Sequence, residues 1–176
     1  MQSHRKIVSA SNILILLTIL TYYVQTNIHN GPLWFGLNIY FLQEHLYYQV
    51  LSTMFAHSGI EHLLMNMLVL WQFGNLLESY VGIFRFLFIY FIGGVLTSFG
   101  TLAYMYYFND WANVVGASGA ISVLFGYVAL KDKTQRQGII ILILLISFVP
   151  LLFGFNIAWH AHIIGFILGW IMGYFI

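Results

Sequence analysis

The sequence predicts an all-α polytopic membrane protein with six transmembrane helices, and three observations lead to this class. Of the 176 residues, 61% are hydrophobic and 6% are charged, whereas soluble domains carry about 25% charged residues. The few charges divide the chain into long apolar stretches, and the basic residues cluster at alternate connections between them. We therefore expect lipid to surround most of a single domain that covers residues 1–176.

The first expected span covers residues 9–26, because no charged side chain lies between Lys6 and Glu44. No small-residue cleavage site follows its apolar core, which argues against a cleavable signal peptide. Residues 27–50 interleave aromatic and leucine side chains with Gly, Pro, Asn and Gln. This composition is typical of an ordered element in the membrane interface, so we expect an interfacial loop here.

The remaining apolar stretches predict five further spans. Residues 137–176 have no charged side chain, and at about 20 residues per crossing they hold two spans. Pro150 and Gly154 mark the turn between these two. The five expected spans cover residues 57–77, 84–106, 114–130, 137–152 and 159–176.

The basic residues predict the orientation of the spans. With six spans, all of them fall on one side of the membrane, at Arg5, Lys6, Arg85, Lys131, Lys133 and Arg136. The positive-inside rule makes that side cytoplasmic. We therefore expect a multi-pass protein of a cell membrane with both termini in the cytoplasm. A net charge of +1 without charge runs argues against nucleic acid as a partner.

Polar groups inside spans are costly in lipid and therefore mark candidate functional sites. They occur near the start of the second, fourth and sixth spans, which all run inward from the outer face. These groups are His62 and Asn66, Ser118, and His162. At ~1.5 Å rise per residue they lie roughly 5–15 Å below the outer surface. Three segments that are distant in sequence thus bring polar groups to one depth.

Two stripes of small residues bring Ser118 and His162 closer still. Ser118 heads a stripe on the fourth span and His162 heads one on the sixth. The stripes consist of Gly119, Ser122 and Gly126, and of Gly165, Gly169 and Gly173. Small residues let helix backbones approach closely in lipid, so the two polar groups meet if the stripes face each other.

A serine beside a histidine suits nucleophilic catalysis, because histidine accepts the hydroxyl proton near neutral pH. Backbone N–H groups in the first turn of the fourth span, with the His62 and Asn66 side chains, supply donors for an oxyanion. No carboxylate lies at this depth, and the chain has no cysteine. We therefore hypothesise that Ser118 and His162 form a catalytic dyad.

Four segments closely resemble the rhomboid family of intramembrane serine proteases. HSGIEHLLMN (57–66) resembles the family's second-helix pattern, and GASG (116–119) resembles its GxSG signature. AHIIGFILG (161–169) resembles the sixth-helix pattern AHxxGxxxG, and GNLLESYVG (74–82) the ExxxG element. The order, spacing and membrane side of all four agree with the family.

The resemblance implies a serine endopeptidase that cleaves transmembrane segments of membrane proteins near the outer face, without metal or other cofactor. Ser118 would be the nucleophile, His162 its general base and then acid, and His62, Asn66 and the Ser118 N–H the oxyanion donors. Residues 152–158 would cap the site, and residues 137–151 would border the route of substrate entry. The family member expected is a minimal bacterial type in the cell's inner membrane.

Two departures from the family pattern stand out. Ser122 replaces an aromatic residue that many members stack against the catalytic histidine, so other groups must orient His162 here. Tyr48 and Gln49 replace a Trp-Arg pair of many bacterial members. We expect altered geometry or substrate preference rather than loss of activity.

Two alternative functions stay open. A catalytically silent relative would bind membrane helices without cutting them. A metal-ion transporter or metalloprotease would use His57, His62, His160 and His162, although no HExxH pattern occurs and His160 and His162 point to nearly opposite helix faces. When each histidine is considered by itself, we interpret His57 as a structural hydrogen-bonding residue and His160 as an interfacial anchor.

Overall fold

The long apolar stretches form helices in a computed structural model that describes residues 9–176, a range without a β-strand. Arg5 and Lys6, two of the residues behind the expected orientation, lie outside this range. A π-helical turn, Leu70–Gly74, joins the helices Ile60–Val69 and Asn75–Val81 without a break. In chain order the helices are α1 (Ala10–Thr26), α2 (Gly31–Phe35), α3 (Tyr40–Gln43), α4 (Gln49–Ser52), α5 (Ile60–Val69), α6 (Asn75–Val81), α7 (Ile83–Phe108), α8 (Ser118–Lys131), α9 (Arg136–Leu152) and α10 (Trp159–Phe175).

Most helices in the described part of the chain are too short to be identified as membrane spans by their length alone. Of its helices, α7, with 26 residues, is the one that is long and apolar enough to span a membrane by itself. Helices α1, α9 and α10 have 17 residues each, and α8 has 14. At ~1.5 Å per residue, a 17-residue helix is about 25 Å long, against a hydrocarbon core of about 30 Å. The six-span arrangement therefore stays a prediction.

Large apolar side chains cover much of the outside of α1, α7 and α9. Leu16 is 56% exposed, Phe84 87% and Leu145 51%. In water such side chains would destabilise the fold, and soluble proteins seldom expose contiguous surfaces of this kind. The outer surface thus fits a hydrocarbon environment.

Helix α1 begins where polar groups cover its first N–H groups. Ser9 Oγ accepts a hydrogen bond from Asn12 N at 3.1 Å. The Glu78 carboxylate, on α6, accepts from Ala10 N at 3.0 Å and from Ser11 N at 2.9 Å. A negative charge at a helix N-terminus is favourable because of the helix dipole. This contact fixes α1 to α6 and gives a structural role to the glutamate of the ExxxG element.

The centre of the fold is α8, which packs against α7, α9 and α10. Every residue from 120 to 127 is buried. Helix α10 lies very close to α8. A methyl group added at Gly169 would overlap the carbonyl oxygen of Val123, and one added at Gly126 would overlap that of Phe166. The two stripes of small residues therefore face each other.

We expect Gly169→Ala to lower the free energy of unfolding by about 1–3 kcal/mol, because the new methyl group would force two backbones apart. Thermal unfolding in detergent micelles measures the loss. Gly138→Ala on α9 is the matched control, since a methyl group there meets nothing within 4 Å. Equal transition temperatures for the two variants would contradict the close contact of α8 and α10.

Candidate active site

Ser118 is the first residue of α8, at the end of a turn that requires glycine. Gly116 has a φ of +131°, a conformation that other residues rarely adopt. A methyl group at Gly116 would also lie 2.8 Å from Cε1 of His62. The turn therefore places Ser118 at a helix N-terminus and brings the His62 ring against the backbone just before it.

His162 lies in the first turn of α10, directly opposite Ser118. Its Nε2 is 2.9 Å from Ser118 Oγ, which is hydrogen-bond distance. The side chain is 9% exposed. The glycine contacts between α8 and α10 hold the two helices at the separation that this hydrogen bond needs.

His62 and Asn66 occupy one face of α5 on the other side of Ser118. Nδ1 of His62 lies 3.1 Å from Ser58 Oγ. Asn66 Nδ2 donates one hydrogen to the carbonyl oxygen of His62 at 2.8 Å, which leaves its second amide hydrogen for another acceptor. The two side chains thus offer donors next to the N-terminus of α8, where backbone N–H groups lack intrahelical partners.

All four predicted site residues line one cavity of about 880 Å³. Three hydroxyl-bearing residues of α7 (Thr97, Ser98 and Thr101) and residues 155–158 also line it. Helix α9 contributes Ile146 and Pro150 to the lining. The cavity has room for several residues of an extended peptide beside Ser118.

The segment before Ser118 is held by residues 27–50, the loop for which the sequence predicts an interfacial position, and by Thr53. Leu37 and Val114 exchange backbone hydrogen bonds at 2.8 and 2.9 Å. Thr53 Oγ1 donates to Val114 O at 2.7 Å, and Gly116 N donates to Thr53 O at 2.9 Å. The loop is therefore ordered and supports the turn of Gly116.

Gln49 belongs to one of the two departures from the family pattern, and its contacts show what its side chain does in this fold. Its side chain is fully buried, and Nε2 donates to the carbonyl oxygen of Leu33 at 3.1 Å. Its Oε1 accepts from Asn38 N at 3.4 Å. The neighbouring Tyr48 is 50% exposed. A neutral amide thus organises the loop where many bacterial members have a charged side chain.

Sequence reasoning missed two polar contacts inside the fold. Ser147 Oγ, on α9, lies 3.4 Å from Nδ1 of His162. Gln25, on α1, donates to the carbonyl oxygen of His57 and accepts from its N–H. Ser147 is an isolated polar group in an apolar run, which is the signal that could have identified it. The backbone contacts of His57 agree with a structural role.

His160 is buried in the fold, whereas an interfacial anchor would be exposed at its surface. It is 5% exposed and stacks on Tyr104 of α7, with ring centroids 4.2 Å apart. Its helix phase takes it away from Ser118. Within residues 9–176, no three His, Asp or Glu side chains lie together as a set of metal ligands.

Residues 9–176 fold into helices, and a serine and a histidine pair at the N-terminal ends of two packed helices. These two features define the class of protein. The chain belongs to the rhomboid family. The family model of the Rhomboid domain matches residues 44–176, which confirms the resemblance of the four motifs.

Curated relatives agree with this membership. The chain is 35% identical to the rhomboid protease GluP of Bacillus subtilis, over 70% of this chain and 25% of that protein. It is 29% identical to the presenilin-associated rhomboid-like protein A, mitochondrial, of Danio rerio, over 71% of this chain and 36% of that protein. It is 26% identical to the rhomboid protease GlpG of Haemophilus influenzae, over 72% of this chain and 68% of that protein. The chain thus spans only about a quarter to a third of the first two proteins.

We expect Gln49→Leu to loosen the interfacial loop, because the buried Asn38 N–H loses its acceptor. Such a loss costs about 1–3 kcal/mol. Hydrogen–deuterium exchange should become faster at residues 37–38 and at Val114. Tyr48→Phe is the control and should exchange like the wild type. Unchanged exchange in Gln49→Leu would show that the amide does not organise the loop.

Proposed function

We propose that the protein is an intramembrane serine endopeptidase that cleaves transmembrane segments of other membrane proteins. The observation that carries this proposal is the 2.9 Å separation of Ser118 Oγ and His162 Nε2 inside a peptide-sized cavity. Membership of a family whose named relatives include rhomboid proteases supports it.

In the proposed reaction, His162 Nε2 removes the proton from Ser118 Oγ as that oxygen attacks the scissile carbonyl. The carbonyl oxygen becomes an oxyanion, for which the N–H groups at the start of α8 and the side chains of His62 and Asn66 are donors. His162 then gives its proton to the leaving amine, and the peptide bond breaks. Water, activated by His162, hydrolyses the acyl-enzyme and restores Ser118.

The proposed surroundings are a lipid bilayer crossed six times, with the active site open to the outer face. The exposed apolar side chains of α1, α7 and α9 support a membrane location. The basic residues support cytoplasmic termini in a cell's inner membrane. Because the site lies at the outer ends of the proposed spans, we expect cleavage near the outer end of a substrate helix, where helix-breaking residues ease local unwinding.

Turnover of a single-pass transmembrane substrate in liposomes tests the proposal. We expect Ser118→Ala and His162→Ala each to remove most activity, and Ser118→Ala to abolish labelling by a fluorophosphonate probe, because the probe reacts with an activated serine hydroxyl. Ser79→Ala is the matched control, since Ser79 is exposed and its hydroxyl group bonds within residues 9–176 to Leu76 O alone. Equal labelling of wild type and Ser118→Ala would refute the proposal. A wild-type protein that binds the substrate without cutting it would indicate the catalytically silent alternative.

The oxyanion donors have their own test. We expect His62→Ala and Asn66→Ala each to lower kcat by roughly 10²–10³ with little change in KM, because their hydrogen bonds strengthen as negative charge develops. Steady-state kinetics in detergent micelles measures this split. The controls His29→Ala and Asn27→Ala alter exposed residues and should leave kcat unchanged. A rise in KM alone would instead assign the two side chains to substrate binding.

A further inference from the structure

We propose that Ser147 of α9 positions His162 for proton transfer and thereby takes the place of the aromatic residue that Ser122 replaces. This inference rests on the proposed function. Its basis is the approach of Ser147 Oγ to Nδ1 of His162, at 3.4 Å, on the side of the ring opposite Ser118. Ser147 is fully buried, so bulk water does not compete for this contact.

The direction of the hydrogen bond between Ser118 Oγ and His162 Nε2 determines which nitrogen of the His162 ring bears the proton. To act as a base, His162 must accept at Nε2 the proton of Ser118 Oγ–H. A neutral imidazole with an unprotonated Nε2 carries its hydrogen at Nδ1. That N–H then needs an acceptor, because a buried donor without a partner is destabilising. Ser147 Oγ lies where this acceptor is needed.

Other candidates for orienting His162 are engaged elsewhere. Ser122 Oγ donates to the carbonyl oxygen of Ser118 at 2.7 Å, and the hydrogen bonds of the imidazole go to Ser118 and Ser147 instead. Within the described residues, no aromatic ring stacks on His162 and no carboxylate accepts from it. Ser147 is therefore the side chain that fixes the tautomer and the ring rotation of His162.

The same contact favours the charged intermediate. When His162 has taken the proton from Ser118, both ring nitrogens are donors. A hydroxyl oxygen at Nδ1 then accepts a charge-assisted hydrogen bond, which is stronger than the neutral one. Because α9 carries Ser147 and also lines the cavity, the position of α9 bears directly on the orientation of His162.

Ser147→Thr and Ser147→Val form a matched pair for the test, since the two side chains have nearly the same shape and differ by a hydroxyl group. We expect Ser147→Val to lower kcat about tenfold with KM unchanged, and Ser147→Thr to retain most activity. Fluorophosphonate labelling rates should follow the same order. Nitrogen-15 NMR of histidine-labelled protein should show His162 protonated at Nδ1 in the wild type and in Ser147→Thr. In Ser147→Val and in Ser147→Ala it should show a mixture of tautomers.

The outcomes separate this inference from the proposed function. Equal impairment of Ser147→Thr and Ser147→Val, or an unchanged tautomer in Ser147→Val, would reduce Ser147 to a packing residue and overturn the inference. Wild-type kinetics in Ser147→Val would overturn it while the protease function stands. If the wild type neither cleaves nor labels, the proposed function fails and the inference fails with it. Should Ser147→Val not fold, the tautomer of the smaller Ser147→Ala variant decides the question.

Discussion

The close contact between the backbones of α8 and α10 is the constraint on which the candidate site depends. At Gly169 and Gly126, no atom of a side chain separates one backbone from the other. This contact sets the separation of the two helices, and the separation sets the distance between Ser118 Oγ and His162 Nε2. A larger residue at Gly126, Gly165 or Gly169 would meet the backbone of the facing helix. We expect it to widen the contact and to move the hydroxyl group away from the imidazole.

A second set of contacts acts on the other side of Ser118. The interfacial loop pairs with Val114, and Thr53 holds both Val114 and Gly116. These bonds define the turn that lets the His62 ring lie against Gly116. Three sets of contacts thus form the candidate site, namely those of the glycine stripes, of the loop and of one face of α5. The glycine stripes act by close packing, whereas the loop and α5 use neutral hydrogen bonds. Such bonds cost less than ion pairs in a medium of low dielectric constant.

The depth and phase of polar residues in apolar stretches predicted much of the candidate site. Ser118, His162, His62 and Asn66 line one cavity, as expected for groups at one level of a helix bundle. The amide of Asn66 was less predictable, because one of its hydrogens goes to the carbonyl oxygen one turn earlier. Ser147 and Gln25 were missed because their partners lie on other segments of the chain, His162 on α10 and His57 between α4 and α5. No spacing within one helix indicates such a partner.

The sequence by itself determined the helical class, the extent of the main apolar segments and the helix positions at which polar groups recur. These properties are local, since hydropathy and helical phase depend on neighbouring residues alone. Only the tertiary structure decided that Ser147, rather than Ser122, faces the imidazole of His162. The rotation of α9 about its axis follows from its packing against α8 and α10, and that packing depends on residues far apart in the chain.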